Sequence, residues 1–241
     1  MATSARGPAP KTTRAHTVDT IAESLTERIN NGEFDAGSWI RQAEIAKEYD
    51  VSRTPVTVAL SRLEAVGLVE RLANRGFRIR VPSTRDIIEV HEVRGVLEGH
   101  AAGLAAARIT EEQLGNLFES VEALRKIVTE LRADEASPDS CRPRWHEAHT
   151  LFHRTVFAAA GNNRLVESAE LLHHRLPRNI SWLAMGGDPR LLTRNAQQHE
   201  EIAQAIDQGD SDRARTLAIA HMESARDLVL ARFTGTGPDH P

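Results

Sequence analysis

The chain is poor in cysteine, in aromatic residues and in long apolar runs, and each shortage narrows what it can be. Cys141 is its only cysteine, which excludes an intrachain disulfide framework and a paired-cysteine site and suits a reducing, cytoplasmic setting. Aromatic residues make up 4% of the sequence while Ala, Leu, Arg and Glu abound, a balance that favours a mainly α protein. No apolar stretch approaches the ~18 residues of a membrane span, so no membrane association is expected. Excess positive charge is missing as well: the formal net charge of −4 excludes a nonspecific polycation. A glycine-rich phosphate loop and a Ser-His-Asp elbow are also lacking, which removes the commonest signatures of catalysis.

What is present is uneven. Residues 1–82 carry 12 Lys/Arg against 10 Asp/Glu, and the remainder carries 18 against 24. Within Arg53–Arg80 there are six arginines and two glutamates, so positive charge gathers on one short stretch. That stretch opens with a polar turn, Asp50-Val51-Ser52-Arg53, followed by Val56, Leu60 and Leu63 at helical spacing. Ala43, Ile45 and Ala46 mark a short helix before it, and Val18, Ile21, Leu25 and Ile29 a longer one ending near Asn31-Gly32. Leu68–Arg71 and Phe77–Arg80 alternate as strands around the turn Asn74-Arg75-Gly76, where Gly76 supplies the positive φ of a hairpin. Two short helices, a tight turn and a basic hairpin make a winged helix-turn-helix, a fold that presents side chains to a DNA major groove. Periodicity alone leaves open a small helical domain with an exposed hairpin.

The residues themselves carry a resemblance. Residues 17–82 resemble the winged-helix domain of GntR-type bacterial transcription regulators, whose signature is similar to VSRTPVREAL followed by RLEAEGLV. Thr57 and Val58 stand where the family usually has Arg-Glu, and Ala43 where many members have another arginine. By that resemblance Ser52, Arg53, Thr54, Thr57, Arg62, Arg75 and Gly76 are the DNA-contacting set, on double-stranded operator DNA. Thr57 can bond a phosphate or a base edge but cannot grip guanine with two parallel bonds, so the operator is expected to differ from that of typical relatives.

Beyond Pro82 the pattern turns purely helical, with about six helices expected near 84–108, 110–133, 143–160, 163–184, 189–208 and 210–233. Their short connections imply an antiparallel bundle. The expected organisation is a disordered leader over 1–15, the winged helix over 16–82, the helical unit over 83–233 and a disordered tail over 234–241. On the bundle's apolar stripes sit four histidines. His149 and His153 are one turn apart on one helix; His199 and His221 lie on two others. Each buried imidazole needs polar partners, and a divalent transition metal would satisfy all four together. His91, His100 and His173-His174 read as ordinary surface or flank histidines.

The chain from Asp86 onward resembles the FCD effector domain of the FadR subfamily of GntR regulators. The matching stretches are Arg94 followed by Glu98, His149-Thr-Leu-Phe-His153 with Gly161-Asn162, Gln198-His199-Glu200 through Gly209-Asp210, and His221-Met222. The resemblance implies that His149, His153, His199 and His221 are metal ligands. His149 replaces the family's usual Asp, and an all-nitrogen set favours zinc, with nickel next, over manganese or magnesium. His146, one turn away, leaves the first ligand position open. Arg94, on the stripe of Ile87, Val90 and Leu97, either pairs with Glu98 within the helix or clamps the carboxylate of a small carboxylic or hydroxy-carboxylic acid at the metal, as the resemblance implies. Arg178 and Asn179 are further candidates for the same cavity.

Two rival classes remain in view. A metalloenzyme of the His-x-x-x-His type needs Glu directly after the first histidine as general base; here the residue is Thr150. A purely structural metal with no small-molecule effector is the stronger rival. The reading adopted is not an enzyme but a metal-containing, ligand-responsive repressor, a homodimer on a pseudo-palindromic operator.

Overall fold

In a computed structural model, residues 11–30, 33–34, 37–173, 175–176 and 180–233 are described here. Among them lie ten helices and one two-stranded sheet, and the chain divides into two compact units, Met1–Val81 and Pro82–Pro241.

The first unit comprises α1 (Lys11–Asn30), α2 (Gln42–Glu48), α3 (Arg53–Ala65), β1 (Val69–Leu72) and β2 (Gly76–Ile79). The stripe on α1 is buried against α3, with Ile21, Leu25, Val56 and Leu60 excluded from solvent. α1 starts at Lys11, so residues 11–15 are helical where a leader is expected from sequence; residues 1–10 and 234–241 lie outside the described residues. The strands pair antiparallel with Val69 opposite Ile79 and Arg71 opposite Phe77, which turns Val69, Phe77 and Ile79 inward. Gly76 has φ +97°, the conformation the hairpin turn requires.

The second unit is helical throughout: α4 (Thr84–Arg108), α5 (Glu111–Arg132), α6 (Pro138–Ala160), α7 (Asn163–His173), α8 (Ile180–Met185), α9 (Pro189–Asp207) and α10 (Ser211–Phe233). Local chemistry sets the starts. Ser83 with Asp86 and Thr110 with Gln113 form reciprocal capping boxes, and Ser137 and Asp188 cap helices whose first residues are Pro138 and Pro189. α6 therefore begins five residues before the expected 143, and Pro143 is carried inside it near the N-terminus. The single helix expected over 163–184 is two, α7 and α8.

α4 lies along α10 with glycines at the contact. A Cβ on Gly99 would stand 2.6 Å from Ile219 Cγ1 and 3.1 Å from the Arg215 carbonyl oxygen, so only glycine allows this approach. The close pairing holds Arg94 and Glu98 of α4 beside His221 of α10. α5, α6 and α9 pack around Leu124, Phe152, Ile202 and Ile206 and complete the core.

Candidate metal centre, ligand cavity and DNA face

Four imidazoles meet inside the second unit. His149 and His153 come from α6, His199 from α9 and His221 from α10, and one ring nitrogen of each lies within 4.8 Å of the others. Neighbouring ring centroids are 4.5 Å apart for His199 and His221 and 4.6 Å for His149 and His153. His153, His199 and His221 are buried, and His149 is half-buried.

Three of the rings are held through Nδ1. His199 Nδ1 donates to the Asn195 carbonyl at 2.8 Å, and a carbonyl can only accept, so the proton resides there. His153 Nδ1 lies 3.0 Å from Glu98 Oε2, and His221 Nδ1 lies 3.1 Å from Gln198 Oε1. The arrangement leaves Nε2 as the free lone pair, and Nε2 of His153 and of His199 is buried with no hydrogen-bond partner. Imidazoles oriented through one nitrogen with the other converging on a common point are what metal ligands require. Their protonation fits as well. Burial lowers the His199 pKa to about 3, with His153 the next cause. Loss of hydration and then the neighbouring histidines hold His149 and His221 well below the usual imidazole range. Neutral imidazole is the ligating form. A tetrahedral ion with bonds of about 2.1 Å sets its donors about 3.4 Å apart, so nitrogens that lie within 4.8 Å of one another close by up to about 1.4 Å to bind it together.

Beside the cluster opens a cavity of about 320 Å³, lined by His149, His153 and His221 and also by Arg94, His91 and His146. Arg94 donates through Nη2 to Glu98 Oε1 at 3.1 Å, while its buried Nε has no partner. The intrahelical pair and the cavity position both hold for Arg94, and Glu98 joins Arg94 to His153 through its two oxygens. His91 corrects the sequence expectation: it is buried, not a surface residue, with Nδ1 donating to the Ile87 carbonyl at 2.7 Å. Burial lowers its pKa to about 4. Its place one turn from Ile87 and three residues before Arg94 was the signal. His100 is exposed. Arg178, Asn179, His174 and the side chain of His173 lie outside the described residues.

In the first unit Ser52, Arg53 and Thr54 are exposed at the start of α3, and the Ser52 side chain makes no cap bond. Arg75 is exposed at the tip of the hairpin beside Gly76. Two of the expected contacts are engaged elsewhere. The Thr57 hydroxyl is shared between Gln42 Oε1 at 2.8 Å and the Arg53 carbonyl at 3.0 Å, and Arg62 pairs with Asp19 of α1.

A winged helix-turn-helix in one unit and a histidine-lined cavity in an all-helical second unit define a DNA-binding regulator with a sensory domain. Residues 17–79 match the bacterial regulatory proteins of the gntR family, and residues 89–224 match the FCD domain; the chain belongs to this family of regulators. It is 29% identical over 210 residues to a probable D-xylose utilization operon transcriptional repressor of Paenarthrobacter nicotinovorans, covering 87% of each chain. It is 26% identical to the HTH-type transcriptional repressor GlaR of Escherichia coli (strain K12), over 88% of this chain and 94% of that one. Its fold is similar to that of McbR/YncC of E. coli, with a TM-score of 0.74 at 20% identity, covering 90% of this chain and 98% of the other. These relatives regulate transcription and are not enzymes. No described helix is long and apolar enough to cross a membrane.

Proposed function

We propose that this regulator is a cytoplasmic, metal-containing repressor that releases its operator when a small carboxylic acid binds in the second unit. His149, His153, His199 and His221 would hold a divalent transition metal, zinc first and nickel second, since the set is all nitrogen. Four neutral ligands leave the ion's charge uncompensated, and that charge favours an anion nearby. Arg94 would anchor the carboxylate, with Glu98 fixing the guanidinium and His153 at once. The observation that carries the reading is the set of buried, unpartnered nitrogens, Nε2 of His153 and His199 and Nε of Arg94, in and beside one cavity.

On DNA, a homodimer would place Ser52, Arg53 and Thr54 of each α3 in successive major grooves of a pseudo-palindrome, with Arg75 and the Gly76 turn on the adjacent backbone or minor groove. Thr57 and Arg62 would act behind this face, positioning α3 through Gln42 and Asp19. A ligand that binds one arrangement of the helices better than another shifts the dimer between operator-binding and released states.

A second reading keeps the metal structural, with no effector. The pair between Arg94 and Glu98 favours it, because the guanidinium already has a counter-charge. Thermal unfolding of zinc-loaded protein against a panel of acids decides. An effector at a hundredfold excess over its dissociation constant adds about 2.7 kcal/mol, a shift of several degrees, and weakens operator binding in a gel-shift assay. No shift with any acid favours the structural metal.

A further inference from the structure

The cavity is two-sided, and its second side says what kind of acid fits. The pole formed by α4, α6 and α10 is cationic or nitrogen-rich. The apolar part of the lining comes from the end of α6 and from the α7–α8 region, as Phe157, Val166, Ala169, Leu172, Leu176 and Ile180. Phe157, Ala169, Leu176 and Ile180 are buried and Val166 and Leu172 half-buried, so this wall runs from the surface into the core. The volume of about 320 Å³ is roughly twice the ~150 Å³ at which an apolar cavity already binds a benzene-sized molecule and stays dry. A short hydroxy acid at Arg94 would leave most of this wall facing empty space or badly bonded water. Among the described residues, the polar side chains that line the cavity beyond the histidines and Arg94 are Thr150, Arg154, Glu170 and Ser181; Arg154 and Glu170 are exposed and opposite in charge, so the buried wall offers no second cation for a second carboxylate.

We infer that the effector is a monocarboxylic acid with an apolar body of about six to ten carbons, its carboxylate at Arg94 and its body against the α7–α8 wall. The inference rests on the proposed acid-sensing function and narrows its ligand class. The volume is roughly twice that of a cavity that holds the six carbons of benzene, so an acid of about eight carbons fits within it. Each methylene moved from water into the apolar wall tightens binding about three- to fourfold.

The test is calorimetric titration of the full, zinc-loaded chain with straight-chain carboxylates from acetate to decanoate, below their micellar concentrations, and with lactate. Affinity is expected to rise three- to fourfold per carbon to about octanoate and then level off. Plugging the wall with Val166→Phe or Ala169→Leu should weaken octanoate by about tenfold or more and leave acetate within about twofold. Arg94→Gln should weaken the whole series together. If acetate or lactate binds as tightly as octanoate, the inference fails and the acid-sensing function stands. If no acid of any length binds, both fail. If octanoate binds but is indifferent to Arg94→Gln, or to whichever plug folds, its place in this cavity is wrong. Should neither plug fold, the chain-length series and Arg94→Gln still decide.

Discussion

Glu98 ties the two halves of the buried site together, one oxygen on Arg94 and the other on His153. Glu98→Gln keeps the shape and removes the charge, so it leaves Arg94 without its counter-ion and His153 with a weaker acceptor. Metal affinity is expected to fall by about 10- to 100-fold, measured by competition with a chromogenic chelator. An unchanged affinity would mean that the carboxylate does not orient the ligand. His91, buried beside the same cavity, sets a pH dependence. Its pKa falls from 6.5 in the unfolded chain to about 4 in the folded one, through burial first and the facing Arg94 and Arg226 last. The folded state therefore prefers the neutral ring. This stability is fully present above pH 6.5 and is lost as pH falls from there toward 4, by up to about 3 kcal/mol. His91→Gln should flatten that part of the stability profile in urea titrations across this range; a profile as steep as the parent's would assign the acid sensitivity to other groups.

At the scale of elements, α4 against α10 is the contact on which the site's register depends. Gly99→Ala should gain about 0.5–1 kcal/mol of helix propensity. The new Cβ meets Ile219 and the Arg215 carbonyl, and the overpacking costs about 1–3 kcal/mol. Net destabilisation in urea unfolding, with weaker metal binding because Arg94 and Glu98 shift against His221, is the expected outcome; a neutral or stabilised variant would show that the helices part easily. On α3, the exposed Arg53 is the arginine retained at the helix start, since Thr57 is tied to Gln42. Arg53→Ala should abolish specific footprinting on the operator while leaving metal content and dimerisation intact. Retained footprinting would place sequence reading elsewhere, in the hairpin for instance.

For the whole molecule, the division into a winged helix and a helical sensor was legible in the sequence because both halves announce themselves by period. The apolar stripes of α1 and α3, the Gly76 turn and the alternation in β1 and β2 are local signals, and local chemistry satisfies them. So are the capping boxes at Ser83 and Thr110. The four histidines were legible for a related reason: each lies on an apolar stripe, and a stripe states which way a side chain faces. What the stripes do not state is what stands opposite. The hydrogen bond between His153 and Glu98 and the Thr57–Gln42 contact join residues distant in sequence, and the apolar residues of α7 and α8 line one cavity with Arg94 only once the unit is folded. His91 shows the intermediate case, a stripe position whose burial was readable but whose polar character suggested the surface. Pro143 shows that near a capped helix start a proline ring is carried within the helix.

The central claim, that four neutral imidazoles form a metal centre on which acid sensing is built, is tested most directly by elemental analysis of purified wild-type and His199→Ala protein, read together with melting temperature after chelation. The account predicts about one zinc or nickel per wild-type chain, a fall in melting temperature when it is stripped, and loss of both metal and that sensitivity in His199→Ala. Wild-type protein that takes up no metal when zinc is supplied, or a His199→Ala variant with full occupancy, would contradict it.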